Sequence, residues 1–149
     1  MPERNSYVLD SYALIGYLEG EAFANQIEDI LLRARHGECQ LYLHVLHLGE
    51  VYYITLREKG EETARLAYDR IKSFPLVLIE NINHKLLLAA ATFKAHHPIS
   101  YADSFAAALA KINNSFLLTG DPEFKILEDK GVIRIEWLEG KGETGLNID

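Results

Sequence analysis

Apolar positions change their period several times along this chain, and each change marks an element. Tyr7-Val8-Leu9 is a short apolar run that predicts a strand, and Asp10-Ser11 then opens a helical stretch through Leu18. Within residues 21–36, Phe23, Ile27, Ile30 and Leu31 fall at helical spacing, with Gly37 as the stop. Residues 40–43 read as extended. Residues 45–58 read as a helix ended by Gly60, and 61–73 as a second helix closed by Pro75. Leu76-Val77-Leu78-Ile79 is unbroken and rich in branched side chains, which predicts a strand buried on both faces. Helices are expected over 83–95 and 101–113, parted by His96-His97-Pro98 because a prolyl ring opposes one continuous helix. Ser115 to Thr119 predicts a strand, Gly120-Asp121-Pro122 a turn into a short helix, and Val132 to Trp137 a last strand.

Strands that alternate with helices imply an α/β fold with a central, mainly parallel sheet flanked by helices. Residues 1–138 are expected to form one domain, followed by a polar, Gly-rich tail over 139–149. Ligands of such sheets bind outside the carboxyl ends of the strands. That rule picks out Asp10, which follows the strand at 7–9, and Asp121, which follows the strand at 115–119.

Composition narrows the partners. The 149 residues suit a single core; 48% are apolar and 25% charged, which is globular rather than disordered usage. A net charge of −7 excludes a generally basic nucleic-acid-binding surface, so any such contact needs a local group of Lys and Arg. The single Cys39 rules out an intramolecular disulfide framework or a CxxC metal site. No apolar run approaches the roughly 18–20 residues of a membrane span, and the N-terminal residues lack a signal core, so a soluble, cytoplasmic protein is expected.

The charge pattern singles out four acids. Asp10 is the only Asp, Glu, Lys or Arg between Arg4 and Glu19, and Glu50 the only one from Gln40 through Leu56. Asp103 is alone between Lys94 and Lys111, and Asp121 between Lys111 and Glu123. An ionised carboxylate in an apolar setting is costly unless it is paired or binds a cation. Four of them gathered at one sheet end would repel one another, and a divalent cation with a taste for hard oxygen ligands, Mg²⁺ or Mn²⁺, resolves the conflict. Asp10 and Asp121 have an equally open alternative as helix caps. Glu50, mid-helix between Leu46, Val51 and Tyr53, has no capping role.

VLDSYALIGYL, HLGEVYY, SYADSFAAALA and LLTGDPEF, in that order and at these separations, resemble the PIN domain, and among its members the VapC-type toxins of toxin–antitoxin pairs. The resemblance covers residues 6 to 138 and implies a PIN-like three-layer fold and a metal-dependent endoribonuclease leaving a 5′-phosphate and a 3′-hydroxyl. It assigns metal contact to Asp10, Asp103 and Asp121, with Glu50 holding a coordinated water or a second ion. Thr119 and Ser11 match the hydroxyl positions that would orient water or a phosphate oxygen. It further implies an RNA substrate, a cognate antitoxin whose C-terminal segment offers an arginine to the acids, and a homodimer, with helices 45–56 and 61–74 as one source of its interface. The alternatives are a PIN nuclease of RNA processing without an antitoxin, and a non-catalytic module that docks a basic peptide or RNA. A phosphatase with an aspartyl nucleophile is disfavoured, because Tyr12 stands where a second acid is needed.

Other features carry less. His44, His47 and Glu50 recur every three residues, but on a regular helix the outer two lie about 120° apart, which disfavours zinc. His96-His97 suits a solvated helix end. Arg57 shares a helical face with Glu50 and is a candidate phosphate contact or a surface ion-pair partner. The mixed charges from Glu58 to Lys72 read as a solvated, salt-bridged helix face, and Tyr52, Tyr53 and Phe105 as core or interface.

Overall fold

The structure is a computed structural model that describes residues 5–139; the tail expected beyond 139 lies outside the described residues. Five strands form one sheet: β1 (Asn5–Leu9), β2 (Cys39–His44), β3 (Val77–Ile79), β4 (Phe116–Thr119) and β5 (Arg134–Trp137). Their order is β3-β2-β1-β4-β5 and every neighbouring pair is parallel. Seven α-helices cover it: α1 (Ser11–Leu18), α2 (Ala24–Arg35), α3 (Val45–Lys59), α4 (Glu61–Lys72), α5 (His84–His96), α6 (Tyr101–Ile112) and α7 (Lys125–Asp129).

Strand periodicity sorts the core into two layers. Tyr7 and Leu9 of β1, Leu41 and Leu43 of β2 and Leu118 of β4 face α1 to α4, packing with Leu14, Ile27, Leu48 and Ile71. Val8 and Leu117 face the other way onto α5, α6 and α7, against Phe93, Phe105 and Leu127. Helix α6 is the most deeply set, with residues 104–110 all buried; its Ala106, Ala107, Ala108 and Ala110 let it lie close to its neighbours. The result is the three-layer PIN-like α/β architecture expected above.

Two expectations change. The run at 76–79 is not buried on both faces: β3 pairs only with β2, and Val77 is 44% exposed. Its branched side chains satisfy an edge strand equally well, and sheet order is not written in a local pattern. The charged stretch of α4 makes no ion pair among the described residues. Its cations lie over rings instead, Arg65 and Lys72 over Tyr68 and Arg70 over Tyr17. The break between α3 and α4 falls at Gly60, whose φ of 95° is strained for any residue with a Cβ.

The sheet order also locates a crevice. From β1 the chain steps outward through β2 and β3, then returns to lay β4 and β5 on the other side of β1. The topological switch point therefore lies between β1 and β4, where the helices that follow diverge to opposite faces.

Candidate metal centre

Asp10 and Asp121 stand on the two lips of that switch point. Leu9 pairs with Leu118, so the residues following them in register, Asp10 and Thr119, are neighbours. Asp10 is only 2% exposed and caps α1, its Oδ1 accepting a bond from the Ala13 N–H at 2.9 Å. The Thr119 hydroxyl, fully buried, donates to the Asp10 carboxylate and accepts from the Asp121 N–H at 3.0 Å. Asp121 in turn caps the 3-10 turn Pro122–Phe124 through the Glu123 N–H. Both acids thus act as caps.

The other two acids arrive on helices. Asp103 is in the first turn of α6, positioned by a capping interaction in which Ser100 Oγ accepts its N–H at 3.1 Å. Glu50 projects from the middle of α3, where the Ser11 hydroxyl from α1 supports its charged form. Its Oε1 is buried and has no hydrogen-bond partner.

The four acids interact electrostatically, although of the four only Asp103 and Asp121 bring ligand oxygens within 4.8 Å of one another, together with Glu123 and without Asp10 or Glu50. Burial pushes the Asp10 carboxyl up to about 7, against its bonds to Thr119 and Ala13, and the charges of Asp103 and Asp121 raise it further. Burial likewise pushes Asp103 up to about 6, helped by Asp121 and Glu50, with Ser100 opposing and Glu123 adding to the rise. Burial also raises Glu50, against Ser11. No described Lys or Arg forms an ion pair with any of these carboxylates, nor offsets the rise in Asp10, Asp103 or Glu50.

Glu123 is the residue that charge spacing missed. One oxygen each from Asp103, Asp121 and Glu123 lie within 4.8 Å of one another. Glu123 is exposed and lies two residues from Lys125, so a search for isolated acids passes over it.

An all-carboxylate donor set, an orphaned buried oxygen on Glu50 and like charges without a protein counter-ion fit a hard divalent cation such as Mg²⁺ or Mn²⁺. They do not fit zinc. His44 Nδ1 accepts from the Leu46 N–H and its Nε2 meets Asn81 O at 3.0 Å, while His47 Nε2 meets Ala102 O at 2.9 Å. Both imidazoles are buried in structural bonds, and burial holds His47 down at about 4. Arg57 lies over the Tyr53 ring, 5.2 Å from its centroid. Phe105 is core, Tyr52 half-buried, and Tyr53 46% exposed. His96 ends α5 exposed to solvent, as a solvated helix end should, but His97 is half-buried and its Nδ1 is buried without a hydrogen-bond partner, so the expectation holds for only one of the two.

Gly120 explains how the cluster closes. A Cβ there would lie 2.8 Å from Tyr12 Cε1 and 3.1 Å from Leu138 O. Any larger residue there would have to displace the Tyr12 ring and press on the Leu138 carbonyl, beside the turn that carries Asp121.

No curated protein sequence matches the chain. Solved structures do match its fold. The VapBC2 complex of Rickettsia felis bound to a promoter DNA fragment superposes with a TM-score of 0.70 at 18% identity, covering 90% of this chain and 99% of that one. DNA-bound VapBC from Salmonella typhimurium gives 0.69 at 14%, covering 91% and 99%. VapC20 from Mycobacterium tuberculosis, a toxin that cleaves the sarcin–ricin loop, gives 0.62 at 16%, covering 83% and 95%. At such identities the likeness is one of fold. The sequence model of the PIN domain matches residues 7–130, a span running from within β1 to the end of α7 and holding all four acids, and the chain therefore belongs to the PIN domain family.

Proposed function

We propose that this protein is a metal-dependent endoribonuclease and the toxin of a toxin–antitoxin pair. The observation that carries the reading is the grouping of Asp103, Asp121 and Glu123 with their oxygens within 4.8 Å, electrostatically linked to Asp10 and Glu50 and with no ion-paired Lys or Arg among the described residues. A fold needs no such arrangement for stability, since unneutralised buried carboxylates cost free energy. The structural likeness to a toxin that cleaves the sarcin–ricin loop supports it.

Asp10, Asp103 and Asp121 would hold Mg²⁺ or Mn²⁺, with Glu50 positioned to hold a coordinated water or a second ion. The bound ion would lower the pKa of water and neutralise charge developing on the phosphate. The chain's own contribution is orientation. Thr119 fixes the Asp10 carboxylate and, through the Asp121 N–H, the start of the turn that carries Asp121. Ser11 steadies Glu50 from α1. The rigid pairing of β1 with β4 holds the two strand-end acids at a constant separation.

Beside the acids, a cavity of about 400 Å³ is lined by Tyr12, Ile15, Phe23 and Ile54, with Glu19 and Glu21 also on its wall. Its apolar floor and acidic edge match a partner segment carrying apolar and arginine side chains, which supports an antitoxin partner. Exposed Leu46, Tyr53, Leu56 and Leu66 on α3 and α4 support a homodimer. No helix of the described residues is long and apolar enough to cross a membrane.

Incubating the purified protein with a labelled RNA panel in Mn²⁺, Mg²⁺ or EDTA tests this reading. Cutting that requires metal and leaves 5′-phosphate ends is expected. Cutting that persists in EDTA, or none across the panel, contradicts it.

A further inference from the structure

A protein of net charge −7 with an acidic catalytic cluster must still grip a polyanion somewhere. Two adjoining cavities far along α6 are suited to that task. The first, about 430 Å³, is polar and lined in part by Lys111, Asn114, Ser115 and Arg134. The second, about 390 Å³, shares Lys111 and Val132 with it; Leu88, Ala89 and Phe93 give it an apolar floor, and His96 and His97 line its edge. No Asp or Glu lines either one. The nearby acids Glu128 and Asp129 are both engaged by Lys125, at 3.0 and 3.2 Å.

The cationic groups are arranged in advance. Arg134 Nη2 donates to Asn114 O at 2.9 Å and to Asn114 Oδ1 at 3.2 Å, and the guanidinium lies over the Phe116 ring with Cζ 4.3 Å from its centroid. This pins the guanidinium while its other N–H groups stay available. With its Oδ1 turned to Arg134, the Asn114 amide keeps its two donors free. Lys111 forms no ion pair within the described residues and opens onto both cavities.

We infer that Lys111, Asn114 and Arg134 form a binding site for a backbone phosphate of single-stranded RNA, with the neighbouring base entering the apolar cavity. The inference rests on the ribonuclease reading and adds a contact remote from the cut. Asp103 and Lys111 lie on the same helix, eight residues and so about 12 Å apart along its axis. A single strand spans that distance in a few nucleotides. A planar, immobilised guanidinium beside a mobile ammonium suits a phosphate, and an apolar floor with a phenyl ring suits a base face.

The test measures binding rather than turnover. In an Asp103→Asn background, anisotropy of a labelled single-stranded oligoribonucleotide gives Kd across a salt series. Lys111→Gln and Arg134→Glu should each weaken binding several-fold and make the log–log salt dependence shallower by about 0.7 for each phosphate no longer neutralised. Lys59→Glu, a basic residue elsewhere, should weaken it much less. Lys111 is exposed, so its glutamine variant should fold, and equal melting temperatures verify this.

Unchanged Kd in both variants, an equal loss in Lys59→Glu, or no binding by the background protein overturns the site. Burial of the same cavities between two copies of the chain, undisplaced by oligonucleotide, overturns it too. Cleavage by the wild-type protein is scored separately. Cleavage with binding unaffected by the variants defeats only this inference, and variant-sensitive binding without cleavage defeats only the nuclease reading.

Discussion

Asp10 meets two demands through one side chain, and its titration should report both. Its carboxyl is raised to about 7 by burial and by neighbouring acids, above its unfolded value of 3.8. The protonated form therefore stabilises the folded state at low pH, and that contribution is lost as pH rises from about 4 through 7. Asp103, raised to about 6, acts in the same direction, with its share reduced by solvent screening because it is only half-buried. Metal-free protein should accordingly lose on the order of 2–4 kcal/mol between pH 4 and pH 8, mostly through Asp10. Asp10→Asn should flatten most of that slope in a melting-temperature series run with chelator; an unaltered slope would mean that Asp10 ionises without penalty. His47 acts on the same cluster through the backbone. It joins α3, which carries Glu50, to Ala102, the residue before Asp103, and its Nδ1 is buried without a partner. His47→Leu should remove this tie between α3 and the first turn of α6 and destabilise the fold by roughly 0.5–1.5 kcal/mol, read by denaturant unfolding.

At the scale of elements, the helix and strand boundaries follow closely from local pattern. Gly60 and Pro75 stop α3 and α4, Ser100 opens α6, and the alternation of Tyr7, Val8 and Leu9 between two core layers identifies β1. Gly120→Ala should cost more than the usual helix or turn substitution, because its methyl would enter the space of Tyr12 and the Leu138 carbonyl. Reduced stability together with weakened metal binding is the expected result, measured by unfolding and by Mn²⁺ titration. Stability loss alone would place Gly120 in packing and not in the turn that aims Asp121. What local pattern could not supply was sheet order. The apolar run at 76–79 satisfies a central or an edge strand, and only the pairing of β4 with β1 leaves β3 at the edge. Four acids were legible because each lacks charged neighbours in sequence. Glu123 was not, since it stands two residues from Lys125 in sequence and meets Asp103 and Asp121 only in space.

For the molecule as a whole, the proposed metal centre would be a destabilised site that a bound cation relieves. A ligand that binds only the folded state at about 100 times its Kd adds about 2.7 kcal/mol. For a chain of 149 residues, Mn²⁺ should then raise the melting temperature by roughly 5–10 °C, and chelator should reverse it. An equal shift in Asp103→Asn would place the ion elsewhere. The molecule's charges are likewise separated in space: acids at the switch point between β1 and β4, and Lys111 and Arg134 around the end of α6.

The most direct measurement of the central claim compares wild-type protein and Asp103→Asn, purified side by side, for RNA cleavage across a Mn²⁺ titration. Substitution of this half-buried carboxylate in the first turn of α6 should leave the fold intact, shown by an unchanged circular dichroism spectrum. Cleavage by the wild-type protein should rise and saturate with Mn²⁺, and the variant should cut at no metal concentration. Equal cleavage by both proteins would contradict the four-acid site, because the acids would then have no part in the reaction observed.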